Sequence, residues 1–388
     1  MRRLSNSRPQ SLPAGPCLGV YSHIESSSER PFGEQTKLFV DLTRLGRQEG
    51  VDVVVLTPGF QRAQQGWRYI EQKRRWIRES IPNPDVVIRR SGAFPAQVIR
   101  QVAEDLMAFK VAGKLHTLPR ICGNKWSLYQ VLRQDPYLSS RIPATEVANS
   151  AAGVVKIVAA KRDVYVKPLT GAQGVGIFHL LLRGGSLGVT WERKNPLSSR
   201  GTDNRHGFKT DVVGEEFTTT ADFARFWQAT KLQRCLVQDT VQLPRTALNE
   251  PFDFRWLVQN RGQMAVVARV ARVGQVDAVT TNIHTGARGI AAEQALASAS
   301  WAHATQVIDE LDKVALTVAR RLQSQYGQFA EVGVDMAVQE DGNVYVFEAN
   351  PTPGRRMLRS LTGNVREMSL VYLLEYARRV TGYDTERR

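Results

Sequence analysis

From residue 17 onward, short apolar runs alternate with stretches whose apolar residues recur every three or four positions. CLGVYS (17–22) has strand length. Leu38, Phe39, Leu42 and Leu45 mark a helix over 34–50 that ends at Gly50. VDVVVLTP (51–58) is a continuous apolar run, the pattern of a parallel strand buried on both faces. DVVIRR (85–90) predicts a third strand and residues 95–110 a second helix. This β-α-β-β-α order predicts a small open α/β unit to about residue 120. The stretch GWRYIEQKRRW (66–76) reads as a solvated helix or hairpin that turns its tryptophans inward. Residues 1–16 are polar, basic and rich in Ser and Pro, as expected of a flexible tail.

Beyond residue 120 the pattern changes. NKWSLYQVL (124–132) predicts a short helix, and VYVKPLTGAQGVGIFHL (164–180) a strand, a Gly-rich loop and a strand. Residues 183–215 are charged and poorly periodic, suiting a hairpin or a long surface loop. CLVQDTVQL (235–243), DFRWLVQN (253–260), QMAVVARVAR (263–272) and VYVFEAN (344–350) read as strands, separated by turn signals such as NRGQ and QEDGN. One long helix is expected over about 291–326.

Lys and Arg outnumber Asp and Glu by 52 to 37, for a formal charge of +15. The basic residues are spread along the chain and no nucleic-acid motif is present, which leaves a small anionic ligand or an acidic substrate as the expectation. Cys17, Cys122 and Cys235 are too few and too scattered for a disulfide framework, and neither they nor the histidines have metal-ligand spacing. No apolar run has the length of a membrane span and the first residues lack a signal-peptide centre, so a cytoplasmic protein is expected.

Three clusters carry chemistry. In GAQGVG (171–176) the glycines would let backbone N–H groups close over phosphate oxygens, although a simple Gly-rich hairpin has the same composition. It is not a Walker A sequence and opens no Rossmann helix. Lys167 lies inside the apolar strand VYVKP, where an ammonium is costly to bury unless an anion meets it; a strand-edge lysine facing solvent is the plainer alternative. Asp335 lies thirteen residues before Glu348, with QEDGN between them, so a hairpin would set the two nearly opposite each other. Glu348 and Asn350 are two apart and share a strand face. Three such oxygen donors suit a magnesium ion that keeps waters and shares nucleotide phosphates, where a solvent face with chance acids is the alternative. Arg255 and Arg269 sit in strand-like segments, and Asn282 and His284 in the loop TTNIHTGARG. Such arginines can neutralise a transferring phosphoryl group, or can form surface salt bridges.

From about residue 120 to the end, this order of motifs resembles the ATP-grasp superfamily. NIHTG, GVDMAV and FEANPTPG look most like the branch containing ribosomal-protein glutamate ligases. PFGEQTKLFVDL, GWRYIEQ…W, IPNPDVVIRR, ICGNKWSLYQVL and FDFRWLVQ look like the YheC/YheD-like, spore-coat-associated ATP-grasp family. The resemblance implies an ATP-grasp fold, α+β with an N-terminal open α/β domain. It implies a tail (1–16), a pre-ATP-grasp domain (17–120), a central subdomain (121–234) and a C-terminal subdomain (235–388). It further implies an ATP- and magnesium-dependent carboxylate–amine ligase, with manganese as the alternative ion. An inert structural protein and a small-molecule kinase are the competing readings. Lys125 and Lys167 would hold the α- and β-phosphates, and Gly171, Gln173, Gly174 and Gly176 would form the lid. Gln238, Asp239 and Val241 would meet adenine and ribose, largely through backbone. Arg255 and Arg269 would stabilise the γ-phosphate and acyl-phosphate. Asn282 and His284 would lie beside the acceptor, and Asp335, Glu348 and Asn350 would bind the metal. Expected partners are ATP, a carboxylate and an amine, with neither nucleic acid nor membrane; a homodimer stays open. The chain departs from the family pattern in NIHTGAR, which lacks paired glycines, and in Asp239, which stands at the acidic linker position.

Overall fold

The computed structural model of the 388-residue chain describes residues 15–25, 30–91, 94–171, 174–196, 208–281, 286–299, 301 and 303–383. The expected tail lies almost wholly outside them. Three sheets carry the fold.

The first sheet contains β1 (Cys17–Tyr21), β2 (Asp52–Leu56), β3 (Gln65–Ile70), β4 (Arg75–Ser80) and β5 (Val86–Arg89), in the order β4-β3-β2-β1-β5. β1 runs parallel to both β2 and β5, and each of these strands is apolar because both faces are covered. The helix Thr36–Gln48 lies on one face and Ile99–Val111 on the other. The first helix stops where Gly50 takes a φ of 73° and the Val51 N–H reaches back to the Gly46 carbonyl at 2.7 Å, which satisfies an end carbonyl. The tryptophan-rich stretch is the β3–β4 hairpin. Trp67 and Trp76 pack inward, edge-on to Phe32.

The second sheet is antiparallel. β6 (Thr145–Ala148), β7 (Asp163–Pro168), β8 (Phe178–Arg183), β9 (Ser186–Pro196), β10 (Phe208–Phe217) and β11 (Cys235–Asp239) take the order β10-β9-β8-β7-β11-β6. Within the charged segment 183–215, β9 and β10 pair antiparallel, while residues 197–207 lie outside the described residues.

The third sheet, also antiparallel, contains β12 (Phe252–Asn260), β13 (Met264–Val273), β14 (Arg288–Ala291), β15 (Glu331–Val338) and β16 (Val344–Asn350), in the order β14-β13-β12-β15-β16. Alternation splits β12 cleanly. Phe252, Phe254, Trp256 and Val258 enter the core under the helix Ala304–Tyr326, while Asp253 and Arg255 face the other way. The single helix expected over 291–326 is in fact two, Ala292–Ser298 and Ala304–Tyr326. The chain turns between them as the Trp301 N–H bonds the Leu296 carbonyl and its ring packs on the core.

The C-terminal helix Val365–Val380 has no counterpart in the sequence reading. It returns to the first sheet, where Leu370, Leu373, Leu374 and Ala377 join the core of Phe39 and Leu42. Beneath it, Glu331 accepts from Arg90 at 2.6 Å and from Arg355 at 3.2 Å, joining the first and third sheets through buried charge. Burial acts to raise the Glu331 carboxyl, but Arg355 and Arg90 outweigh it and hold the acid below its ordinary range.

Candidate functional site

The second and third sheets face each other across a cleft containing about 940 Å³ of empty space, its open mouth included, a size suited to a small-molecule ligand. Tyr165, Ile177, Val241, Leu243, Val279 and Phe347 supply apolar wall, and charged groups gather toward Lys125 and Asp335.

One wall is cationic. Asn124 caps the helix Lys125–Leu132 by accepting from the Ser127 N–H, which fixes Lys125 at its first turn. The Lys125 ammonium stands 3.4 Å from the Gly171 carbonyl and 3.7 Å from the Glu348 carboxylate. Lys167, on β7, donates to Gln238 Oε1 at 2.7 Å and lies 4.7 Å from the centre of the Phe347 ring. Burial and the neighbouring Lys125 pull its ammonium down to about 7, against the pull of Glu348 and Asp253. Gly171 and Gly174 line the cleft, and Gly174 and Gly176 take φ of 74° and 75°, where a side chain would be strained. Gln173 lies outside the described residues.

The facing wall is acidic. Asp335 and Glu348 are register partners across β15 and β16, as the thirteen-residue spacing anticipated. The register then shifts, so that Phe347 is an extra residue, and this bulge brings Phe347 and Glu348 together at the cleft. Asp335 is only 4% exposed and accepts from two guanidiniums: Arg255 Nη2 at 2.6 Å and Arg272 Nη1 at 2.9 Å. Burial would raise the Asp335 carboxyl, yet these two arginines hold it lowered. For Asp253, beside Arg272, burial wins and the carboxyl is raised. Arg272 itself is raised, its two acidic partners outweighing the cost of burial.

One sequence expectation is corrected by this geometry. Arg269 is not in the cleft. It sits three residues before Arg272, on the opposite face of β13, where it pairs with Asp312 of the long helix at 2.5 Å. Arg272, which the sequence reading passed over, occupies the cleft with Asp253. Gln238, expected to meet adenine largely through its backbone, lines the cleft, and its side chain has a further task. It is 1% exposed, and besides accepting from Lys167 it donates to Tyr129 Oη at 3.0 Å and Thr145 Oγ1 at 2.9 Å. Tyr129 in turn donates to the Phe347 carbonyl, so Gln238 links Lys167 to the bulge that presents Glu348. Asp239 and Val241 line the cleft where the chain leaves β11, with Asp239 paired to Lys161 at 2.5 Å. Asn282 and His284 lie outside the described residues; the adjoining Thr280 lines the cleft and donates to Glu192 of β9 through N–H and hydroxyl.

The donor set can be tested against a divalent ion. Among the described residues, no three His, Cys, Asp or Glu side chains form a metal cage by themselves. Glu348 and Asp335 do line one cleft, and Asn350 Oδ1, which accepts from the Thr352 N–H at 3.0 Å, has a second lone pair. Such a sparse oxygen set fits magnesium, which commonly takes its remaining ligands from water and phosphate. Among the described residues, no helix is long and apolar enough to cross a membrane.

Comparison with known proteins places this cleft in context. The chain is 26% identical over 357 residues to the endospore coat-associated protein YheD of Bacillus subtilis, covering 88% of this chain and 73% of that relative. It is 20% identical over 250 residues to YheC of the same organism, covering 63% of each. In three dimensions it is similar to the ATP-grasp ligase PsnB complexed with precursor peptide PsnA2 and AMPPNP, with a TM-score of 0.53 at 15% identity over 94% of this chain and 98% of that one. It is also similar to the VanG D-Ala:D-Ser ligase of Enterococcus faecalis, with a TM-score of 0.53 at 12% identity over 93% and 99%. At these identities the structural likeness is one of fold, and the fold is ATP-grasp with an N-terminal α/β domain. The family model for YheC/D-like ATP-grasp proteins matches residues 115–380, and the chain belongs to that family.

Proposed function

We propose that this protein is an ATP- and magnesium-dependent carboxylate–amine ligase. The observation that carries the reading is the gathering of Lys125, Lys167 and Arg272 with Asp335 and Glu348 in one cleft, which Gly171 and the positive-φ Gly174 also line. Cations there would meet phosphate oxygens, and acids would meet a divalent ion. Glu348, Asp335 and Asn350 would hold the magnesium, which neutralises phosphate charge when bound.

A substrate carboxylate oxygen attacks the γ-phosphorus and ADP leaves, giving an acyl-phosphate. An amine then attacks the acyl carbon, phosphate leaves, and the amine proton passes to solvent or to phosphate. Lys125 and Lys167 orient the phosphates, while Arg272 and Arg255 face the charge that develops at the transferred group. The 171–176 loop keeps water from the acyl-phosphate. Val241 and the backbone beside Asp239 receive the adenine. Asn282 and His284 belong to the acceptor side in this reading, and the segments 17–120, 121–234 and 235–388 are its working domains.

The likeness of NIHTG and FEANPTPG to ribosomal-protein glutamate ligases, and the precursor peptide bound by PsnB, favour a peptide or protein carboxylate as one substrate. The test is incubation with magnesium-ATP and pooled acids and amines, followed by mass spectrometry. ADP with an amide product supports the proposal. ADP with a stable phosphoester would make the protein a kinase, and the lack of any nucleotide binding would make it an inert relative.

A further inference from the structure

The first sheet contains a charge that no carboxylate among the described residues balances. Arg89, the last residue of β5, is 5% exposed, and its Nη1 is fully buried with no hydrogen-bond partner. Among the described residues no carboxylate pairs with it, and the charged group that bears on it most is another cation, Arg120, which is itself exposed. Burial and Arg120 together pull this guanidinium down to about 10. A buried cation without a counter-ion is costly to the fold. Its neighbour makes the contrast plain: Arg90, one residue on, points to the other face and pairs with Glu331.

The position of Arg89 is as telling as its burial. β1 is flanked by β2 on one side and β5 on the other, so the chain order reverses between β1 and β5. In open α/β sheets ligands bind outside the carboxyl ends of the strands at this switch point. Arg89 is the register partner of Tyr21 at that end, and the Arg90 N–H bonds the Tyr21 carbonyl at 2.9 Å. The Arg89 N–H donates to Thr117 Oγ1 at 2.7 Å, holding the strand end against the segment that leads through the Arg120–Gly123 turn to Lys125. The switch point therefore adjoins the segment that carries the first phosphate-facing lysine.

We infer that the switch point at the carboxyl ends of β1 and β5 is a carboxylate-binding subsite, in which Arg89 and Arg120 receive an acidic group of the acceptor substrate. The assignment of that group to a substrate rests on the ligase reading; the anion site itself rests on the unpaired guanidinium at the switch point. A carboxylate is favoured over phosphate because the phosphates of the nucleotide already have Lys125, Lys167 and Arg272 in the neighbouring cleft. A planar guanidinium also matches a carboxylate with two parallel hydrogen bonds.

The test uses the full chain in low-chloride buffer, with thermal unfolding and calorimetry in the presence of succinate, L-glutamate or inorganic phosphate. Succinate and L-glutamate should stabilise the wild-type protein saturably. Arg89→Met should unfold at a higher temperature than wild type without ligand, and should bind succinate at least about tenfold more weakly. Arg120→Gln, at an exposed position, should weaken succinate binding a few-fold and serves if Arg89→Met does not fold. The inference is overturned if succinate acts equally on wild type and both variants. It is also overturned if Arg89→Met only lowers the unfolding temperature with its succinate response intact, or if only phosphate gives an Arg89-dependent response. Stabilisation by magnesium-AMPPNP, measured alongside, reports on the nucleotide cleft separately, so either reading can fail without the other.

Discussion

Lys167 offers the most quantitative check, because the fold holds its ammonium in a state that costs stability. Its acidity lies at about 7 in the folded protein against an ordinary 10.5, through burial and the nearby Lys125. The unfolded chain therefore binds the extra proton across pH 7 to 10.5, and this group's contribution to stability rises with pH through that window. Between pH 7 and pH 9 the folded lysine loses nearly all its remaining proton while the unfolded one keeps it. The slope is about 1.4 kcal/mol per pH unit for each proton difference, so the gain integrates to about 2 kcal/mol. Partial solvent contact trims this figure somewhat. In Lys167→Met the gain is absent. Urea unfolding of both proteins at pH 7, 8 and 9 without nucleotide should show the variant's advantage shrinking by about 2 kcal/mol as pH rises. Parallel profiles would refute the reasoning, since they would mean that the ammonium is solvated and free of Lys125. The same substitution should abolish stabilisation by magnesium-ATP, so one side chain would trade stability for ligand.

Arg269→Gln should leave magnesium-ATP affinity unchanged in a fluorescence titration, because its partner is Asp312 on the far face. Arg272→Gln should weaken it at least about tenfold, and should lower stability by about 3–5 kcal/mol in urea unfolding because Asp253 is left buried without its partner. Glu331→Gln leaves Arg90 and Arg355 without their shared anion, and a loss of about 3–5 kcal/mol is expected by thermal or urea unfolding. Glu348→Gln should abolish ADP release in a coupled assay while its circular dichroism stays that of wild type; near-normal turnover would remove the metal from that strand.

How much of this was legible beforehand depends on the range of the cause. The β15–β16 hairpin could be read because its turn, its alternation and its acids are all local, and the Asp335–Glu348 register followed from spacing alone. The bulge at Phe347 could not be read, since one extra residue leaves the apolar pattern nearly intact. VVARVAR offers two arginines three apart, necessarily on opposite faces of a strand, and the sequence reading took only the one that the fold turns outward. The deciding fact, which of them finds Asp253 and Asp335 and which finds Asp312, is tertiary. The resemblance sets Gln238 toward adenine largely through its backbone; the burial of its side chain against Tyr129 of the helix Lys125–Leu132 and Thr145 of β6 depends on elements about a hundred residues earlier. The break after Ser298 and the helix Val365–Val380 were missed for a similar reason, as both are stabilised by where their apolar residues dock.

The ion pairs of the cleft suggest why its residues stay ordered without ligand. Lys125 leans on Glu348, and Arg255 and Arg272 share Asp335, with Asp253 behind them. Apart from Lys167, whose ammonium donates to the neutral Gln238 amide, each of these charges thus already has a protein counter-ion that holds its side chain in place. Ligand binding then becomes an exchange of partners: phosphate oxygens take the cations while the released acids take the divalent ion. The field is set before the nucleotide arrives, and little reorganisation is left for the reaction itself. Among the described residues no carboxylate stands in this way for Arg89, whose buried Nη1 has no hydrogen-bond partner. A pre-balanced cleft beside an unbalanced arginine is what separate sites for a charged nucleotide and a second anionic group require.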